Sequence, residues 1–145
     1  MGETHVEQIF QAVLGEDFRI SGSALFFYLC SLVPVGAIVL YLCCRMIGND
    51  PSEENLGGKA FVATCFHRLM FAVAFWVVLL TGLNQGFPLG DKALLLLMHM
   101  GVAALVIRWW VSDAMGRVVV VSVVFAVLDT IAMSGALLGS AVLFA

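Results

Sequence analysis

Four apolar stretches, each long enough to cross a bilayer as a helix, constrain this chain more than any other feature. They run from about Ser21 to Cys44, Lys59 to Leu83, Lys92 to Val111, and Arg117 to the C-terminus. A helix needs about 20 apolar residues to span the hydrocarbon core. Inside lipid every backbone amide and carbonyl must be satisfied within the protein, which leaves helices for spans of this length. The expected fold is therefore all-α, an integral membrane four-helix bundle. Composition agrees: 62% of the residues are hydrophobic and 12% charged, against roughly 45–50% and 25% in soluble domains. A soluble fold of 145 residues could not hide so much apolar surface.

Residues 1–20 form a separate segment. Val6, Ile9, Phe10, Val13, Leu14 and Phe18 recur at helical spacing and predict a short amphipathic helix. Its polar side carries Glu3, Glu7, Glu16 and Asp17, so it differs from the basic helices that seek anionic lipid. The expectation is a helix lying on the membrane surface or against a partner protein, with residues 21–145 as the four-span domain. A basic start with an apolar stretch behind it would mark a secretory signal; this acidic segment has neither, so insertion is expected to be directed by the first span.

Between the spans lie a polar loop around Gly48–Asn55, broken by Pro51, and a turn over Asn84–Gly90. Pro34 sits in the middle of the first span, where the missing amide hydrogen predicts a kink at the carbonyl of Cys30. Basic residues set the orientation. Arg45 and Lys59 flank the first loop, Arg108 and Arg117 the third, and only Arg19 and Lys92 lie at the opposite end. Cytoplasmic loops carry the excess of Lys and Arg. Loops one and three are therefore expected in the cytoplasm, with both termini outside and Trp109 and Trp110 at the interface.

Some chemistries are excluded. A net charge of −3 with no basic stripe gives nucleic acid nothing to bind. Cys30, Cys43, Cys44 and Cys65 have no metal-ligand spacing and read as small packing residues. No nucleophile–base set or phosphate-cradling loop is visible.

The candidate site rests on ionisable residues within the spans, which are costly in lipid and mark functional sites. These are His67 and Arg68 on the second span, His99 on the third and Asp129 on the fourth. At 1.5 Å per residue, His67 lies about 12 Å from its cytoplasmic end, and His99 and Asp129 about 18 Å. All four thus fall in one broad layer. Asp129 and Arg68 are expected either to form a buried pair that fixes packing or to act in chemistry. The histidines could bond neighbouring helices, ligate haem iron or join Asp129 in a proton relay. Met98 and Met100 flank His99 and offer soft sulfur for copper(I), but point to different sides of the helix. On the fourth span, Gly135 and Gly139 allow close helix approach, and Ser122, Ala126, Asp129, Met133, Ala136 and Ser140 make a second small or polar stripe.

Cys65-Phe66-His67-Arg68, Leu79-Leu80-Thr81-Gly82-Leu83 and Met98-His99-Met100-Gly101 resemble the membrane cytochrome b subunits of respiratory hydrogenases and formate dehydrogenases. In that family a histidine near the cytoplasmic start of one helix precedes a Ser/Thr-Gly pair, and the next helix carries a second histidine. The resemblance implies haem b with His67 and His99 as axial ligands; in that reading Arg68 neutralises a propionate or a carboxylate. It covers the second and third spans. The fourth span has no histidine, so a haem bound by this chain alone would need both rings at one level and facing each other.

The resulting expectation is a haem-b-binding subunit that carries electrons between the quinone pool and a partner redox protein. The alternatives are a non-catalytic structural subunit of a larger complex, or a proton- or ion-conducting subunit using Asp129. The expected setting is a multi-pass membrane, the bacterial inner membrane, with lipid, other subunits or a second copy, and quinone as partners.

Overall fold

The computed structural model describes residues 21–47, 55–81, 90–111 and 114–143. The amphipathic segment expected over 1–20 lies outside the described residues. Four helices make up the described chain: α1 Gly22–Met46, α2 Leu56–Thr81, α3 Asp91–Trp110 and α4 Met115–Leu143. All four contain stretches long and apolar enough to cross a membrane, and the protein is an all-α, multi-pass membrane four-helix bundle. Each helix packs on its neighbours in sequence, and α4 closes the ring against α1.

The ends follow local chemistry. Ser21 caps α1, its hydroxyl accepting from the Ala24 amide at 3.3 Å. The second helix starts at Leu56, earlier than the Lys59 suggested by the sequence. Gly57 and Gly58 look like breakers, yet Asn55, at φ 65°, folds its carboxamide over Gly58 where a Cβ would collide. The backbone carbonyl of Asn55 then accepts from the Lys59 amide at 3.1 Å. At the end of α1, Arg45 donates to the Tyr41 hydroxyl at 2.8 Å, a polar anchor of the kind favoured where a helix leaves the bilayer.

Large apolar side chains such as Phe26, Ile38, Leu69, Trp76, Leu138 and Val142 point outward. That surface suits lipid, because hydrocarbon does not penalise apolar exposure.

The interior is uneven. A contiguous apolar cluster fills the half of the bundle nearest the first and third loops, built on Leu40, Cys43, Leu56, Val106, Val121 and Phe125. Cys44 joins it, so two of the four cysteines are packing residues as expected. Toward the other end, among the described residues, only Ala24, Met133, Leu137 and Ser140 are buried. The ionisable groups lie at the boundary between the packed half and this looser half.

Pro34 stands inside α1, and just beyond it buried Gly36 makes room for the side chain of Arg68. A Cβ on Gly36 would stand 2.5 Å from Arg68 Nη2 and 2.8 Å from Thr64 Cγ2. Gly101 by contrast has nothing within 4 Å of that position. Alanine normally gains about 1 kcal/mol over glycine in a helix. Gly101→Ala should therefore raise the thermal midpoint in detergent. Gly36→Ala should lower it, because overpacking costs about 1–3 kcal/mol. Equal shifts in both variants would contradict the close approach.

Candidate functional site: a buried charge and imidazole cluster

Arg68 leaves α2 and reaches α4. Its two terminal nitrogens donate to Asp129, Nη1 to Oδ2 and Nη2 to Oδ1, both at 2.7 Å. This fork-to-fork geometry is the strongest arrangement open to the pair. The remaining Nε donates to the Leu32 carbonyl of α1 at 3.2 Å. One side chain thus ties three helices together. The Asp129 side chain is 0% exposed and that of Arg68 16%. The sequence expectation of a buried Arg68–Asp129 pair matches this contact.

Asp129 also faces α3. His99 Nε2 lies 3.1 Å from Asp129 Oδ2, near enough for an ionic contact but off the line that a hydrogen bond requires. The other ring nitrogen, Nδ1, is 3.4 Å from the Thr130 hydroxyl. That hydroxyl already donates to the Ala126 carbonyl at 2.7 Å, so toward His99 it can only accept. A proton on Nδ1 therefore has an acceptor in Thr130, whereas Nε2 meets Asp129 only at ionic-contact distance.

His67 completes the cluster. It is 1% exposed, and among the described residues neither of its ring nitrogens has a hydrogen-bond partner. Its neighbours are rings. The His67 and His99 centroids are 4.7 Å apart at 36°. Phe125 stands edge-on to both, at 5.3 and 5.8 Å. Phe71 lies against both from the opposite direction, at 6.1 Å from His67 and 5.5 Å from His99. The pair is held in an aromatic frame, with one nitrogen of His99 directed at a carboxylate and both nitrogens of His67 unpartnered.

The four residues singled out by depth are thus brought together, and the two histidines share one level. Their spacing bears on the haem expectation. Bis-imidazole ligation sets the rings on opposite faces of a macrocycle. With metal–nitrogen bonds of about 2 Å on each side, the centroids stand roughly 6 Å apart. At 4.7 Å the rings touch, and in this arrangement a macrocycle does not fit between them. Among the described residues, no group of three His, Cys, Asp or Glu side chains is disposed to hold a metal ion.

Gly135 and Gly139 take no part in the cluster. Both are exposed, with nothing within 4 Å of a Cβ placed on either, so among the described residues nothing packs on them. The stripe of Ser122, Ala126, Asp129, Met133 and Ser140 faces the interior, with Leu137 beside it.

Several contributors were not legible in advance. The Leu32 carbonyl is a backbone group and leaves no trace in residue identity. Thr130, adjacent to Asp129, resembled a lipid-facing threonine, and Phe71 was one of many phenylalanines. Spacing offered one hint: Phe71 falls one turn after His67, where i and i+4 side chains meet.

No protein family, curated protein or solved structure matches this chain.

Proposed function

We propose that the protein handles protons within the membrane, with Asp129, His99 and His67 as a continuous ionisable path and Arg68 as its fixed counter-charge. The observation that carries this reading is the linkage at Asp129 Oδ2. That oxygen meets Arg68 Nη1 at 2.7 Å and His99 Nε2 at 3.1 Å, and His99 in turn rests on His67. A purely structural role accounts for the Arg68–Asp129 pair, since each satisfies the other. It does not account for two buried histidines. An unpartnered buried polar group costs stability, and such groups in membrane spans are characteristic of proton relays.

Each group has a distinct task. Arg68 orients Asp129 and balances its charge. Asp129 hands the proton to His99, whose Nε2 lies 3.1 Å from its Oδ2. His67 takes that proton once one ring turns its edge toward the other, because the two now meet by their faces. Imidazole suits this work because small changes around it move its protonation across the physiological range. In this reading loops one and three face the cytoplasm, as the positions of Arg45, Lys59, Arg108 and Arg117 favour. The protein works beside other subunits or a second copy, for which the open Gly135 and Gly139 face of α4 leaves room.

The test is proton uptake by liposomes containing the purified protein, read with an internal pH-sensitive dye under an imposed potential. Uptake above that of empty liposomes is expected, and Asp129→Asn and His99→Gln should each reduce it to background. Uptake equal to that of empty liposomes would sink the reading.

Haem-b electron transfer to or from quinone is the second reading, favoured by the three unpartnered ring nitrogens on His67 and His99. It requires α2 and α3 to stand further apart than they do. An oxidised and dithionite-reduced visible spectrum of protein from haem-replete cells decides it. A Soret band lost in His67→Ala and His99→Ala would favour haem; a colourless folded protein would remove it.

A further inference from the structure

We propose that Phe71 is the gate of the histidine pair, opening it to water from the end of the bundle where α2 finishes and α3 begins. The inference rests on the relay reading and adds to it a direction and a moving part.

The two phenylalanines that frame the histidines are not equivalent. Phe125 precedes Asp129 by one turn of α4 and so lies on the side of the third loop. It is 1% exposed and belongs to the apolar cluster with Val121, Ala103 and Ile107. Behind it the packing continues through Val106, Cys43 and Leu56 to the loop-one and loop-three end of the helices. Two buried hydroxyls, Thr64 and Ser122, lie along that route, each donating to a carbonyl of its own helix, and Phe125 itself is held within the apolar cluster.

Phe71 follows His67 by one turn of α2 and lies on the opposite side of the pair. It is only half-buried, at the edge of the cluster. The α2 residues beyond it whose side chains are described are all half-buried or exposed, and so are the described α3 residues before His99. No packed layer among the described residues holds the Phe71 ring from that side. Its ring nevertheless lies within 6.1 Å of His67 and 5.5 Å of His99, covering both. Rotation about its first side-chain torsion swings the ring away from the histidines. That exposes them toward the looser half and frees the space either imidazole needs to turn its edge to the other. One movement therefore admits water from that end and aligns the relay, while Phe125 holds its place in the packed half.

Access can be read without measuring proton flow. In a background with the four cysteines replaced by alanine, Phe71→Cys and Phe125→Cys are inserted in one orientation into vesicles. A charged, membrane-impermeant methanethiosulfonate is then applied to either face. Phe71→Cys should react several-fold faster from the loop-two face than from the other, and Phe125→Cys from neither face. Labelling of Phe125→Cys from the loop-three face, or of Phe71→Cys from that face, would overturn the proposal. The second measurement needs no cysteine. Imidazole carbon-bound hydrogen exchange at His67 and His99, followed by mass spectrometry, should quicken several-fold in Phe71→Ala and stay unchanged in Phe75→Ala. Equal rates in both variants and the parent would also overturn it. Proton uptake reports separately on the relay. One-sided labelling without uptake retains the gate and discards the relay; uptake with two-sided labelling discards the gate and retains the relay.

Discussion

Replacing Asp129 with alanine is expected to destabilise the bundle by about 3–5 kcal/mol, the cost of leaving a buried charge without its partner. Arg68 would keep its contact with the Leu32 carbonyl but lose both charge-assisted bonds to α4. Arg68→Leu should cost a similar amount, since Asp129 is fully buried and would retain only the off-line contact with His99. The double variant Arg68→Leu/Asp129→Leu should recover most of the loss, because an apolar pair of similar volume is often as stable as the buried ion pair it replaces. Unfolding in mixed micelles measures all four proteins. The recovered double variant then separates architecture from activity. If the pair serves the relay, a folded double variant takes up no protons. If the pair serves only packing, uptake in the double variant equals that of the parent. A double variant as unstable as either single one would show that the guanidinium and carboxylate are needed for the fold itself.

The second large effect has the opposite sign. His67→Leu is expected to stabilise the protein by about 1–3 kcal/mol, the cost attached to an unpartnered buried polar group. The leucine would occupy a site lined by Phe71, Phe125 and His99, surroundings that suit an aliphatic side chain better than an imidazole with two idle nitrogens. The same change should abolish proton uptake. Gains in stability with loss of activity mark residues retained for function rather than for folding. His99→Leu should behave differently and destabilise, because His99 faces both Asp129 and Thr130. A destabilised His67→Leu would mean that His67 holds a partner in the membrane, and the argument from its idle nitrogens would fall.

Fold class was legible because it depends on a sum. Four apolar stretches of sufficient length leave no other arrangement once lipid is the solvent, and small errors at their ends do not alter that sum. Those errors were real but local: the second helix starts at Leu56 rather than Lys59, with Gly58 leaving room for the Asn55 carboxamide. The candidate residues were legible for a related reason. An Arg, an Asp and two His in apolar helices are conspicuous, and the constant helical rise places them in one layer.

Depth is one coordinate, however, and a site needs three. Rise per residue could not say whether His67 and His99 would face each other, nor that they would stand too close for a macrocycle. That depended on the separation of α2 and α3, which the packing of Ala60, Ala63, Val102 and Ala103 sets. Small side chains bring helices close, and the consequence reaches the imidazoles only through the assembled bundle. Similarly, Gly135 and Gly139 had the spacing of a packing motif, but the rotation of α4 about its axis left them outside. Depth and polarity are local properties, carried by the order of residues along each helix, and the sequence by itself determined them: four spans and one layer of ionisable groups. Rotation and separation are relations between helices. Only the tertiary structure decided that Asp129 is shared by Arg68 and His99, that Phe71 and Phe125 frame the histidines, and that one half of the interior is packed while the other is loose, because those outcomes follow from which side chains fill the space between helices.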